Sequence, residues 1–288
     1  MKIEMKHKLG HIAAATLMVC GASAFASVDT LDQGEALLTN GYVLSGLDGD
    51  VTMTYSKTMT VMMNTLKAEF SSIGGGVDDV TTRIGPSGFP QYVSIRASAP
   101  VSGLRHDLAD DALTALAVET QGGVRLRTVK NAVTNGAGWL NITDLKVDLK
   151  AKIVYADIDG ANGVGFVNDH ALWTFDSISG PSVIDLAGIP APGGVMPPNR
   201  VDFQHITSGL FLVKSSDLDS IFVKALNLNS IGRTVTQNVN DRSKNGGSGF
   251  GNISSSVSVT AVPEPSAYAL MGVGLAGVAL FGRRRAAH

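Results

Sequence analysis

The stretch Asp144-Leu145-Lys146-Val147-Asp148-Leu149-Lys150-Ala151-Lys152-Ile153-Val154-Tyr155 decides the fold class. Leu145, Val147, Leu149, Ala151, Ile153 and Tyr155 share one parity, and Asp144, Lys146, Asp148, Lys150 and Lys152 the other. A period of two buries one face and wets the other, as antiparallel strands do. Working outward, Val51, Met53, Tyr55, Met59, Val61 and Met63 repeat the pattern against a run of serine and threonine. Further runs lie at 93–97, 124–129, 172–178, 201–213, 221–228, 231–239 and 253–261. Gln121-Gly122-Gly123 reads as a hairpin turn. One helix is expected from Asp107 to Val118, with Asp107 as cap and Asp110 and Asp111 in its first turn. The expected fold is all-β: a single antiparallel β-sandwich-like domain over residues 27–261 with at most one or two short helices. The proline- and glycine-rich segment 188–199 is expected to be a long surface loop within that domain rather than a linker between two.

The ends of the chain carry processing signals. Lys2, Lys6 and Lys8 precede an apolar stretch ending in Ala24-Phe25-Ala26, the three parts of a secretory signal peptide over residues 1–26. Small residues at Ala24 and Ala26 place cleavage before Ser27. The single cysteine, Cys20, lies in this leader, so the mature chain is expected to have no disulfide and no cysteine-based site. Removing the leader and the three terminal arginines leaves about 17 basic against 24 acidic side chains, a net charge near −7. Such a domain is a poor nucleic-acid binder, and its charge favours solubility.

At the other end, Val262-Pro263-Glu264-Pro265-Ser266 is followed by an uncharged apolar run from Ala267 to Gly282 and then Arg283-Arg284-Arg285. The prolines favour an extended, accessible backbone. The apolar run, roughly 24 Å long as a helix, is expected to cross the membrane, with the arginines on the cytoplasmic side. In order, spacing and position this tail resembles the PEP-CTERM sorting signal of Gram-negative bacteria. The resemblance covers about the last 25 residues and implies handling by an exosortase, which recognises the tripeptide, the helix and the basic cluster. On that expectation Pro263, Glu264, Pro265, Arg283, Arg284 and Arg285 are the processing residues of a signal over 262–285. Signal peptidase and exosortase are the export partners. The protein is held briefly in the inner membrane by helix 267–282, then passed to the cell surface or the extracellular polysaccharide.

The exported domain shows no nucleophile elbow, no paired-histidine zinc motif and no phosphate-binding loop. His106, His170 and His205 are far apart in sequence and read as strand-end or loop residues. The candidate metal residues are Asp157, Asp159 and Asn162, because oxygen ligands in a glycine-rich segment suit Ca²⁺. The plainer reading is an Asx/Gly turn: Ala161 stands where a further oxygen ligand belongs, and no glutamate closes the loop. Of the two tryptophans, Trp173 reads as core, while Trp139 is the candidate for a sugar-stacking platform. The expectation is therefore a non-enzymatic structural or matrix-interaction protein, needing no cofactor, whose partners are extracellular polysaccharide or other surface proteins. A carbohydrate-binding module, with or without assistance from calcium, is the rival from the binding class. A secreted hydrolase is the rival from the enzyme class.

Overall fold

Most of the alternating runs form strands, and these close on themselves. The computed structural model describes residues 27–39, 42–86, 88, 90–187 and 200–263. In chain order these form β1 (Ser27–Asp32), β2 (Ala36–Thr39), β3 (Tyr42–Tyr55), α1 (Lys57–Leu66), β4 (Glu69–Ile73), β5 (Val77–Ile84), β6 (Pro90–Ala109), β7 (Ala112–Thr120) and β8 (Gly123–Thr128). There follow β9 (Gly138–Asp148), β10 (Ile153–Gly160), β11 (Gly165–Ser179), β12 (Val183–Asp185), β13 (Arg200–Leu212), a π-helical segment (Leu218–Val223), α2 (Ser230–Asn240) and β14 (Gly251–Pro263). The neighbours β7, β6, β3, β14, β13, β11, β10 and β9 are all antiparallel, and β9 pairs back onto β7. The expected sandwich of two sheets is thus replaced by one sheet whose ladder returns to its start, which leaves these eight strands without a free edge along the ring.

The inward parity is clearest on β13, where Val201, Phe203, His205 and Thr207 are buried between exposed neighbours. Ile253 and Val257 on β14, and Val51 and Met53 on β3, face the same interior. Three helical pieces close the end of the ring where β3 leaves and β14 enters. Ser56 starts α1 by accepting the Met59 N–H (3.0 Å), and its own hydroxyl donates to the Gly249 carbonyl (2.7 Å). Met59, Met62, Met63 and Leu66 then lie on one buried face of α1, at the spacing a helix needs. Asn229 caps α2 by accepting from the Ile231 and Gly232 N–H groups.

Several expected elements change identity. Residues 57–63, read as strand, are helical, as are much of 221–228 and 231–239. The helix expected from Asp107 to Val118 is a β-hairpin: Leu108 faces Leu113, Ala109 faces Ala112, and Asp110-Asp111 form the turn with Asp110 at φ 52°. The run 145–155 is two strands, because the Asp148 carboxylate accepts the Lys150 and Ala151 N–H groups and reverses the chain. Gln121-Gly122 is a corner and not a hairpin. Both β7 and β8 pair with β9, and the corner is pinned by the Gly122 N–H donating to the Asp144 carboxylate (2.8 Å). Gly122, at φ 88°, has no room for a side chain, since a Cβ would lie 2.2 Å from the Gly74 carbonyl oxygen.

The membrane-spanning helix also requires correction. No helix among the described residues is long and apolar enough to cross a membrane. Residues 267–282, to which that helix was assigned, lie outside the described residues, as do the leader 1–26 and the loop 188–199. The transient inner-membrane anchoring drawn from that helix goes with it.

Candidate functional site

The residues singled out for calcium do not converge. Asp157 and Asp159 lie on the half-exposed face of β10 rather than in a loop. The Asp157 carboxylate accepts the Asp169 N–H (2.8 Å), and Asp159 faces the Asn141 amide (3.5 Å). Asn162 sits in the following turn at φ 56° and donates its amide to the Ala225 carbonyl (3.0 Å). Among the described residues no group of three or more histidine, cysteine or acidic side chains is placed to hold a metal ion.

The histidines also depart from expectation. His106 and His205 are not at strand ends or in loops; both point into the ring and are buried. His106 Nδ1 meets the Leu104 carbonyl at 3.3 Å, while its Nε2 lacks a hydrogen-bond partner; beside His205 lies the Pro181 backbone, whose pull towards the protonated form is outweighed by burial. Burial is the dominant effect on each and lowers its pKa below the ordinary histidine value of 6.5. Both are therefore neutral in the fold, and the unfolded chain takes up their protons first. The stability tied to this is complete above pH 6.5 and is lost as the pH falls below it towards the folded values. We expect a melting temperature that is level from pH 8 to 7 and falls as the pH drops below 6.5. Replacing His205 with leucine should flatten part of that drop, and an unchanged acid limb would refute the account. His170 is different: its Nε2 lies 2.9 Å from the Asp217 carboxylate. No serine, threonine or cysteine among the described residues hydrogen-bonds to it.

Trp139 lines one of the larger open grooves among the described residues. It lies half-buried on β9, directly opposite Arg127 on β8, with Arg125 opposite Asn141 two residues along. Arg127 in turn faces Glu69 on the edge strand β4. These residues, with Phe70, Ser71 and Tyr92, line an open groove of about 770 Å³. Its floor is ordered by the framework. Arg125 Nε donates to the Asn141 side-chain carbonyl (2.8 Å), and its guanidinium carbon lies 5.7 Å from the Trp139 ring centroid. Tyr92 is fixed from α1, where Asn64 bonds both its N–H (2.8 Å) and its carbonyl (2.9 Å). The Tyr92 hydroxyl accepts the Phe70 N–H (3.2 Å), and Phe70 stands edge-on to Tyr55 at 5.3 Å. Burial raises the Tyr92 pKa, so its phenol stays protonated and keeps an O–H to donate into the groove. An aromatic face bounded by guanidinium, carboxylate and phenol groups is equipped to stack on and hydrogen-bond a polar ring.

Sequence reading found Trp139 but missed Arg125, Arg127, Glu69, Phe70 and Tyr92. The available signal was the alternation Val124-Arg125-Leu126-Arg127, which sets both arginines on the wet face of a strand. A second groove, by α2 and β13, is neutralised internally: Arg233 pairs with Asp219, and Arg242 with Asp176 while lying 3.9 Å above Phe211.

The processing residues fall at the limits of the ring. Ser27 is the first residue of β1 and pairs with Leu108; Pro263 is the last of β14 and pairs with Tyr42. Ala24, Ala26, Glu264, Pro265 and Arg283 to Arg285 lie outside the described residues. Residues 261–285 match the model of the PEP-CTERM protein-sorting motif. No curated protein and no solved structure matches the chain. The chain thus carries a PEP-CTERM tail, consistent with an exported protein handled by an exosortase-type sorting system, in front of which stands a domain of unrecognised family.

Proposed function

We propose that the exported domain is a matrix-interaction protein that holds extracellular polysaccharide in the Trp139 groove, a binding role and not a catalytic one. The carrying observation is the half-buried Trp139 ring set between ordered polar groups in an open groove on the outer wall. A sorting tail that directs the protein towards the cell surface brings that groove to a polysaccharide. The groove's openness suits a chain that passes through it. Its rigidity, with Tyr92 clamped by Asn64 and Arg125 by Asn141, limits the entropy lost when a sugar is gripped.

The test is retention of the purified protein on exopolysaccharide from its own host, with and without a chelator. Trp139→Ala is expected to weaken binding by about tenfold or more, the effect of losing a central aromatic anchor. The chelator is expected to change nothing. Undiminished binding by a Trp139→Ala protein with an unchanged melting temperature would reject the groove as the site.

A further inference from the structure

The Trp139 groove does not end at Tyr92. On the other side of that residue lies a second concavity of about 630 Å³, lined in part by Lys57 at the start of α1 and Arg83 on β5. Tyr92 lines both. The two together present Arg125, Arg127, Lys57 and Arg83, with Glu69 the one carboxylate in their lining and Asp78 near enough to act on Tyr92. Apart from the bond from Arg125 Nε to Asn141, none of these four cations has a side-chain hydrogen bond or an ion pair among the described residues. The chain as a whole carries a net negative charge, so this cluster runs against the average. The groove beside α2 makes the contrast plain, since both of its arginines are already paired with aspartates.

We infer that this double groove is a track for an acidic polysaccharide, a polymer of carboxylate-bearing sugars laid across Tyr92 with its charges met from both sides. The inference rests on the polysaccharide reading above and specifies the chemistry of the sugar. A guanidinium meets a carboxylate through two parallel N–H donors, and such charge-assisted pairs are roughly twice as strong as neutral ones. Arg125 and Arg127 stand two residues apart on one strand face, about 7 Å along it, so they engage successive parts of one polymer. The Tyr92 ring and the Trp139 face supply stacking between the charged ends. A neutral glucan offers no charge to meet these four cations. A nucleic acid is the less fitting polyanion, because a sorting tail that directs the protein to the cell surface sets it among surface polysaccharides.

The test uses the processed protein recovered from the surface fraction of its host, with EDTA present to prevent calcium bridging. The probes are polygalacturonate, the same polymer after reduction of its carboxyl groups, and a single-stranded oligonucleotide. Polygalacturonate is expected to bind at least about tenfold more tightly than its reduced form, with the difference shrinking as salt is raised. Arg127→Gln and Arg83→Gln, both exposed positions, are each expected to weaken polygalacturonate by about fivefold and to leave the reduced polymer unaffected. Equal binding of the two polymers, both weakened by Trp139→Ala, would overturn the acidic track and leave the polysaccharide reading standing. Loss of all sugar binding, the host polymer included, would sink both. Tighter binding of the oligonucleotide than of polygalacturonate would reassign the track to nucleic acid.

Discussion

A Phe250→Ala protein is expected to lose about 3–5 kcal/mol of stability, a large part of the roughly 5–15 kcal/mol available to a domain. Phe250 is fully buried where the helical end meets the ring. Its ring lies 5.7 Å from Trp173 of β11 and 5.3 Å from Phe222 of the π-helical segment. Its backbone is committed as well: the N–H donates to Leu210 at the end of β13 (2.8 Å), and the carbonyl accepts from Ser56 at the cap of α1 (3.0 Å). One residue thus joins two strands and two helical pieces. Truncating it leaves a cavity under Trp173 and beside Phe222. The melting temperature should fall by on the order of 10 °C. Val61→Ala, at an exposed position on α1, should change stability by less than about 0.5 kcal/mol. Equal effects from the two changes would show that the aromatic cluster does not tie the cap to the ring.

That cluster also shows how far the sequence could be read. The strands around it were legible in part: Val201 to Thr207 alternates with one wet face, whereas Leu172-Trp173 and Leu210 to Leu212 are continuous buried runs. The helices were not, and α1 shows why. Met59, Val61 and Met63 share a parity that mimics a strand, while the true buried set is Met59, Met62, Met63 and Leu66. The deciding feature was Ser56 acting as a cap, a local signal outweighed by the alternating run before it. The reverse error came at Asp107 to Val118, where alanine and leucine favour helix by propensity. There the hairpin turn at Asp110-Asp111 and the long ladder between β6 and β7 override that preference. Ring closure was not legible, because it depends on the short β7–β9 pairing around Val118 and Val147, nearly thirty residues apart in the chain. The candidate site follows the same rule. Trp139 stood out by residue type, but Arg125, Glu69 and Tyr92 reach it through strand order and through a clamp from α1.

A chain ending at Phe250 is expected not to fold, and one ending at Pro263 to unfold at the same temperature as the longer protein. The difference between them is β14. It lies between two neighbours over most of its length, against β13 from Asn252 to Thr260 and against β3 from Gly251 to Pro263. Removing it exposes two strand edges at once and takes Ile253, Val257, Val259 and Ala261 out of the core, all of them fully buried. At about 1.5–3 kcal/mol for each of the three larger side chains, this loss alone is comparable with the whole margin of stability. Val257→Asp should act in the same direction within a complete chain, by placing a carboxylate in an apolar interior. The sorting motif begins at residue 261, so its first three residues are also the last three of this closing strand. A cut that left the chain ending at or beyond Pro263 would keep every pair of that ladder, whereas one before Ala261 would open it. The form recovered from the host surface should accordingly retain Pro263 when its C-terminal peptide is mapped by mass. A folded, protease-resistant product ending before Ala261 would show that the ring does not depend on the end of β14.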